Sequence, residues 1–266
     1  MPAELGETLA FLRDLRVHND RAWFEANRER YELARSAFLS LVASVLELLG
    51  EDEDLGGIGP EDCAFRIYRD VRFSKDKSPY KPNMGALMGR EGRGSATRGY
   101  YLHVEPDGHS FLGGGLYQPS PAELASVRAS IAADPSPLKR LISDPAFERL
   151  FGHLSGESLK TAPQGYPKDH PEIGLLRLKQ YVVVRGLADE ELLSPRLALE
   201  AAETYRAMRP FLACVDAMAA GRAGAAATRP FDTGRAPARR EPGRPRRRPG
   251  GPRRRAGPRP GSSLGS

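Results

Sequence analysis

The sequence predicts an α+β fold: an antiparallel or mixed sheet with helices packed on one side, N- and C-terminal helices, and a disordered basic tail. Three observations carry this. Apolar residues recur at helical spacing near both ends of the body. In the middle the period falls to two, and turn residues separate short apolar runs. Beyond residue 221 apolar periodicity gives way to Arg, Pro and Gly.

The elements follow in order. Leu5, Leu9, Leu12 and Leu15 lie at three- and four-residue spacing and predict a helix over 5–16. His18-Asn19-Asp20 supplies turn and N-cap chemistry, and a second helix is expected from Arg21 to Leu49, closed by Gly50. The segment 63–73, CAFRIYRDVRF, alternates Phe65, Ile67, Val71 and Phe73 with polar residues, so a strand with one covered face is expected. Two prolines mark 74–83 as a loop, and GALMG at 85–89 reads as a short strand. Strands on either side of Pro106-Asp107-Gly108 form a hairpin, and Gly113-Gly114-Gly115 signals a bulge or a close backbone approach. Ser120 followed by Glu123 opens a capped helix, two short helices fit 136–151, and 175–187 reads as a strand or a helix–strand piece. A final helix is expected over about 195–219.

Charge divides the chain in two. Residues 222–266 hold thirteen Arg, no Lys and two acids, a net +11, together with eight Pro and eight Gly. Such a segment buries too little apolar surface to offset its chain entropy and is expected to be disordered. The remaining 1–221 carry 27 bases against 32 acids, a net −5, and are expected to form one domain. No apolar run reaches the roughly 18 residues of a membrane span and no signal peptide is evident, so a cytoplasmic protein without a membrane partner is expected. Two cysteines, five scattered histidines without zinc spacing, and no GxGxxG or GxxxxGK[ST] leave no metal or cofactor indicated.

The densest chemistry lies between Arg66 and Lys81. Arg66, Arg69, Arg72, Lys75, Lys77 and Lys81 stand there against Asp70 and Asp76, and three of the chain's seven lysines fall within 75–81. Arg69 falls on the apolar face of the expected strand, where a guanidinium needs a partner or a pocket. The expectation is an anion pocket for phosphate or carboxylate, with Ser74 and Tyr80 adding hydroxyl contacts. Asp70, Asp76, Tyr101, His103 and Lys179 are supporting candidates. A solvated basic edge protecting a sheet margin is the alternative.

Several strings carry a further signal in order and spacing: FLRDLRVHNDRAWFEANRERYE, FRIYRDVRFSKDKSPYKPNMG, GYYLHVEP with GGGLYQPSPAELASVRASI, and LKTAPQGYPKDHPEIGLLRLKQYVV. Together they resemble a conserved hypothetical family of bacteria and fungi, the domain of unknown function 2461, over about residues 5–219. The resemblance implies one compact domain and supplies no reaction. Three function classes therefore stand: a nucleotide- or nucleic-acid-binding module, an enzyme acting on a phosphorylated or carboxylated small molecule, and an interaction domain for an acidic partner.

Overall fold

A computed structural model describes residues 2–72, 75–94 and 98–222. The expected disorder of the Arg-rich tail therefore falls, but for Arg222, outside the described residues, and so do Phe73 and Ser74.

Helix α1 (Pro2–Val17) buries Leu5, Leu9, Phe11, Leu12 and Leu15. Asp20 ends the turn after it by accepting the Trp23 N–H at 2.9 Å, which starts α2 (Arg21–Ala26). The single helix expected over 21–49 is broken at Asn27, whose side-chain amide donates to the Trp23 carbonyl at 2.9 Å. A short amide side chain competes for helix carbonyls in this way, and the chain restarts as α3 (Arg28–Gly50). By length and composition α3 could cross a membrane, with a mean hydropathy of 1.6 over its most apolar window. Its buried residues, among them Phe38, Leu41, Val42 and Val45, pack in the core with α1 and with the last helix.

A short helix α4 (Pro60–Cys63) follows, and then the main correction to the sequence reading. Among the described residues, 63–72, the strand expected over 63–73 is absent. Ala64 and Tyr68 form only isolated bridges, to Ala86 and Tyr80. The partner segment explains this. Arg69 N–H donates to the Pro79 carbonyl at 2.9 Å and Lys81 N–H to the Ile67 carbonyl at 2.8 Å, but Pro79 has no N–H to return to Arg69. A continuous ladder cannot form, and 64–69 runs beside 79–86 as an irregular ribbon.

The sheet contains β1 (Met84–Met88), β2 (Arg98–Val104), β3 (Ser110–Leu116) and β4 (Tyr181–Leu187), in the order β1-β2-β3-β4 with antiparallel pairing throughout. Between β3 and β4 come α5 (Pro121–Ala133), α6 (Ser136–Ile142), α7 (Pro145–Phe151) and α8 (Ile173–Leu176). After β4 come α9 (Asp189–Leu192) and α10 (Leu197–Ala219). The register places Tyr100, Leu102, Leu112, Gly114 and Val183 on one face, buried beneath α10. There Gly114 lets the helix approach: an added Cβ would lie 2.9 Å from Met208 Sδ and 3.2 Å from Leu212. Gly115 has φ +128°, and a Cβ on it would lie 2.2 Å from the Tyr181 carbonyl oxygen. The glycine triplet thus marks the close approach its sequence announced. The opposite face carries Gly85, Leu87, Tyr101, His103, Phe111, Gly113, Val182 and Val184, with the aromatics and valines only half-buried.

Candidate anion site and the open face of the sheet

Residues 66–81 are anchored by aromatic packing and one asparagine. The Tyr80 ring is buried and stacks on Phe24 at 4.0 Å between centroids with 11° between planes. Asn19 holds the Tyr80 backbone from both sides: its amide donates to the Tyr80 carbonyl at 3.1 Å, and its carbonyl accepts the Tyr80 N–H at 3.0 Å. Tyr80, expected to contact a ligand through its hydroxyl, is in place the anchor of the loop.

The bases of this stretch do not all converge. Arg72 is paired with Asp70 at 2.6 Å, both exposed, and that guanidinium holds the Asp70 carboxyl down to about 2. Lys77 donates from Nζ to the Val71 carbonyl at 2.8 Å, and Lys75 is an exposed loop residue. Ser74 lies outside the described residues. Asp76 accepts the Ser78 N–H at 2.9 Å and pairs with Arg69 at 2.9 Å; these contacts, the Ser78 ones foremost, depress its pKa. Lys179 is bound to Glu157 at 2.7 Å just ahead of β4, so it stands at the opposite edge of the sheet from the ribbon beside β1. A cleft of about 630 Å³ opens between α2 and the loop, with Arg21, Glu25, Tyr68, Arg69 and Lys77 on its walls.

Three cations do gather. Burial lowers the pKa of the Lys81 ammonium, and the charges of Arg66 and Arg69 lower it further. Its Nζ lies 5.9 Å from the centroid of the Phe65 ring. Among the described residues neither Arg66 nor Lys81 has a carboxylate within ion-pair distance, and Arg69 Nε is buried without a hydrogen-bond partner. Phe65 and Tyr68 flank these charges with 39% and 46% of their surface exposed.

Phe65 also links the cations to the open face of the sheet. Its ring meets Tyr101 edge-on at 6.3 Å. The Tyr101 hydroxyl is 3.2 Å from His103 Nδ1, and His103 Nε2 is 2.9 Å from Glu105 Oε2. A carboxylate only accepts hydrogen bonds, so in the neutral imidazole Nε2 carries the proton and Nδ1 accepts from Tyr101. Phe111 stacks on the imidazole at 4.6 Å and 13°, fixing its plane. Gly85 makes room for the phenol, since an added Cβ there would meet the Tyr101 oxygen at 2.4 Å. Burial pushes the Tyr101 phenol up to about 12. Glu105 and Phe65 were not singled out as site residues from the sequence, although Tyr101-x-His103-x-Glu105 is a period-two pattern that sets all three on one side of a strand.

The family described as "Conserved hypothetical protein (DUF2461)" matches residues 7–213. The chain belongs to this family. In this DUF2461 chain the matched span takes in the basic ribbon and the Tyr101–Glu105 strand and ends within α10, short of the Arg-rich segment. No curated protein and no solved structure matches the chain.

Proposed function

We propose that this domain binds the phosphate of a nucleotide, or of single-stranded nucleic acid, at Arg66, Arg69 and Lys81. The observation that supports this best is the half-buried Lys81 ammonium, crowded by two guanidinium groups. Like charges held together in a partly dry setting are costly, and a bound anion relieves both their repulsion and their desolvation. Phe65 and Tyr68 offer aromatic surface beside the charge, the combination on which bases stack. The cluster occurs on a body of net −5, where non-specific attraction of polyanions is not the rule.

Calorimetric titration of the full chain with AMP, and anisotropy with a labelled oligothymidylate, test the reading and separate its two ligand sources. Arg66→Ala and Lys81→Ala should each weaken binding about tenfold, the loss of one charge-assisted hydrogen bond. If the polymer is the ligand, the fall of log affinity against log salt should become shallower by about 0.7 in each single variant than in the unsubstituted chain, one phosphate contact fewer. Comparing variants within the full chain holds the contribution of the thirteen tail arginines constant. Unchanged affinity for both probes in Lys81→Ala would sink the proposal.

A further inference from the structure

We infer that Tyr101, His103 and Glu105 form a nucleophilic relay on the open face of the sheet, with the Tyr101 oxygen as the attacking atom. The three side chains make one chain of contacts from carboxylate to imidazole to phenol, at 2.9 and 3.2 Å, in which each group has the partner its chemistry needs. The arrangement follows the general logic of an activated nucleophile: a base within hydrogen-bond reach, itself oriented by a third group. Phe111 clamps the imidazole from one side, and Gly85, having no side chain, gives the phenol the place it occupies against β1. A phenol held near 12 does not ionise into water, so it attacks only if the base takes its proton as the new bond forms.

The substrate class rests on the proposed phosphate site, because one ring joins the two: Phe65 meets Tyr101 edge-on at 6.3 Å, and Lys81 Nζ lies 5.9 Å from the same ring's centroid. For a phosphate ester held there, a bond forms from Tyr101 Oη to phosphorus while the bond from phosphorus to the leaving oxygen breaks. The phenol proton passes to His103 Nδ1 and from there to the leaving oxygen. Water then reverses the sequence: the imidazole takes its proton, its oxygen bonds to phosphorus, and the phosphotyrosine bond breaks as the phenol recovers its proton. The net reaction is hydrolysis. Tyr101 is the catalytic residue and Glu105 a positioning residue acting through His103.

The test needs no knowledge of the natural substrate. An arylsulfonyl fluoride is added to the full chain, and modified tyrosines are followed over time by peptide mass spectrometry; reaction joins Oη to sulfur and expels fluoride. Tyr101 should react at least about tenfold faster than the more exposed Tyr68 and Tyr117, the low end of base-assisted acceleration. His103→Ala should bring Tyr101 down to their rate or below. Glu105→Gln, nearly isosteric, should slow Tyr101 with an unchanged melting temperature, which a purely structural carboxylate would not do. A Tyr101 rate no faster than that of Tyr68 and Tyr117, or one indifferent to both substitutions, overturns the relay. AMP protection of Tyr101 in the native chain, lost in Lys81→Ala, ties the relay to the phosphate site. Fast labelling without AMP protection leaves the relay standing and removes the phosphate substrate.

Discussion

Lys81 shows how one side chain can be set against its own stability. Its folded pKa lies below the ordinary 10.5, with burial the larger cause and Arg66 and Arg69 the smaller. The unfolded chain therefore holds that proton more tightly, and in the window between the folded value and 10.5 stability rises with pH. The native state carries this penalty in full at neutral pH. Lys81→Met, which keeps the stem over Phe65 and removes the charge, should therefore raise the melting temperature at pH 7 while weakening AMP binding. That opposition is expected of a residue kept for function, and a fall in both quantities would contradict it. Glycine substitutions probe the other tight places. Gly115→Ala should destabilise by more than about 3 kcal/mol in urea unfolding, since both its φ and the Tyr181 carbonyl resist a side chain. Gly114→Ala should cost less, about 1–2 kcal/mol, because Met208 and Leu212 can give way.

At the scale of elements, what was legible in the sequence was what is decided locally. Ser120 accepts the Glu123 N–H at 3.3 Å, and Glu123 reaches back to the Ser120 N–H at 2.8 Å, so the start of α5 could be read from two residues. Ser120→Ala should cost about 1 kcal/mol by the same unfolding measurement. The hairpin around Pro106-Asp107-Gly108 was readable for the same reason. The segment after Cys63 was not, because its pairing is limited by Pro79, which the alternation of 63–73 does not contain. Asn27 was hidden differently. Its neighbours keep the helical apolar period across the break, which shows instead in the Asn27 backbone, at φ −114° and ψ 20°, and in its side-chain bond to Trp23. Phe24, in the short helix before the break, stacks on Tyr80 and so helps hold the loop that carries the cations.

Over the whole molecule, the two faces of the sheet differ in what covers them. Its inner face is filled by α10 and the core; its outer face holds half-buried aromatics, an imidazole and glycine floor, with the basic ribbon along the β1 edge. The sequence revealed that bases cluster at 66–81 but not which of them converge. That depends on where the acids go. Asp70 takes Arg72 outward, Asp76 takes Arg69 partway, and among the described residues no carboxylate reaches Lys81. Glu105 stands one residue past β2, where the sequence shows only a lone acid after a strand; its contact with His103 Nε2 gives it its place.

The central claim is that Lys81 is a strained ammonium awaiting an anion, and NMR titration of its Nζ, followed through the side-chain methylene carbons, tests it most directly. In the free protein Lys81 should titrate below 10.5, and saturating AMP should move its pKa upward as the phosphate compensates the charge. A Lys81 that titrates at or above 10.5 in the free protein, and does not move when AMP is added, would contradict the account.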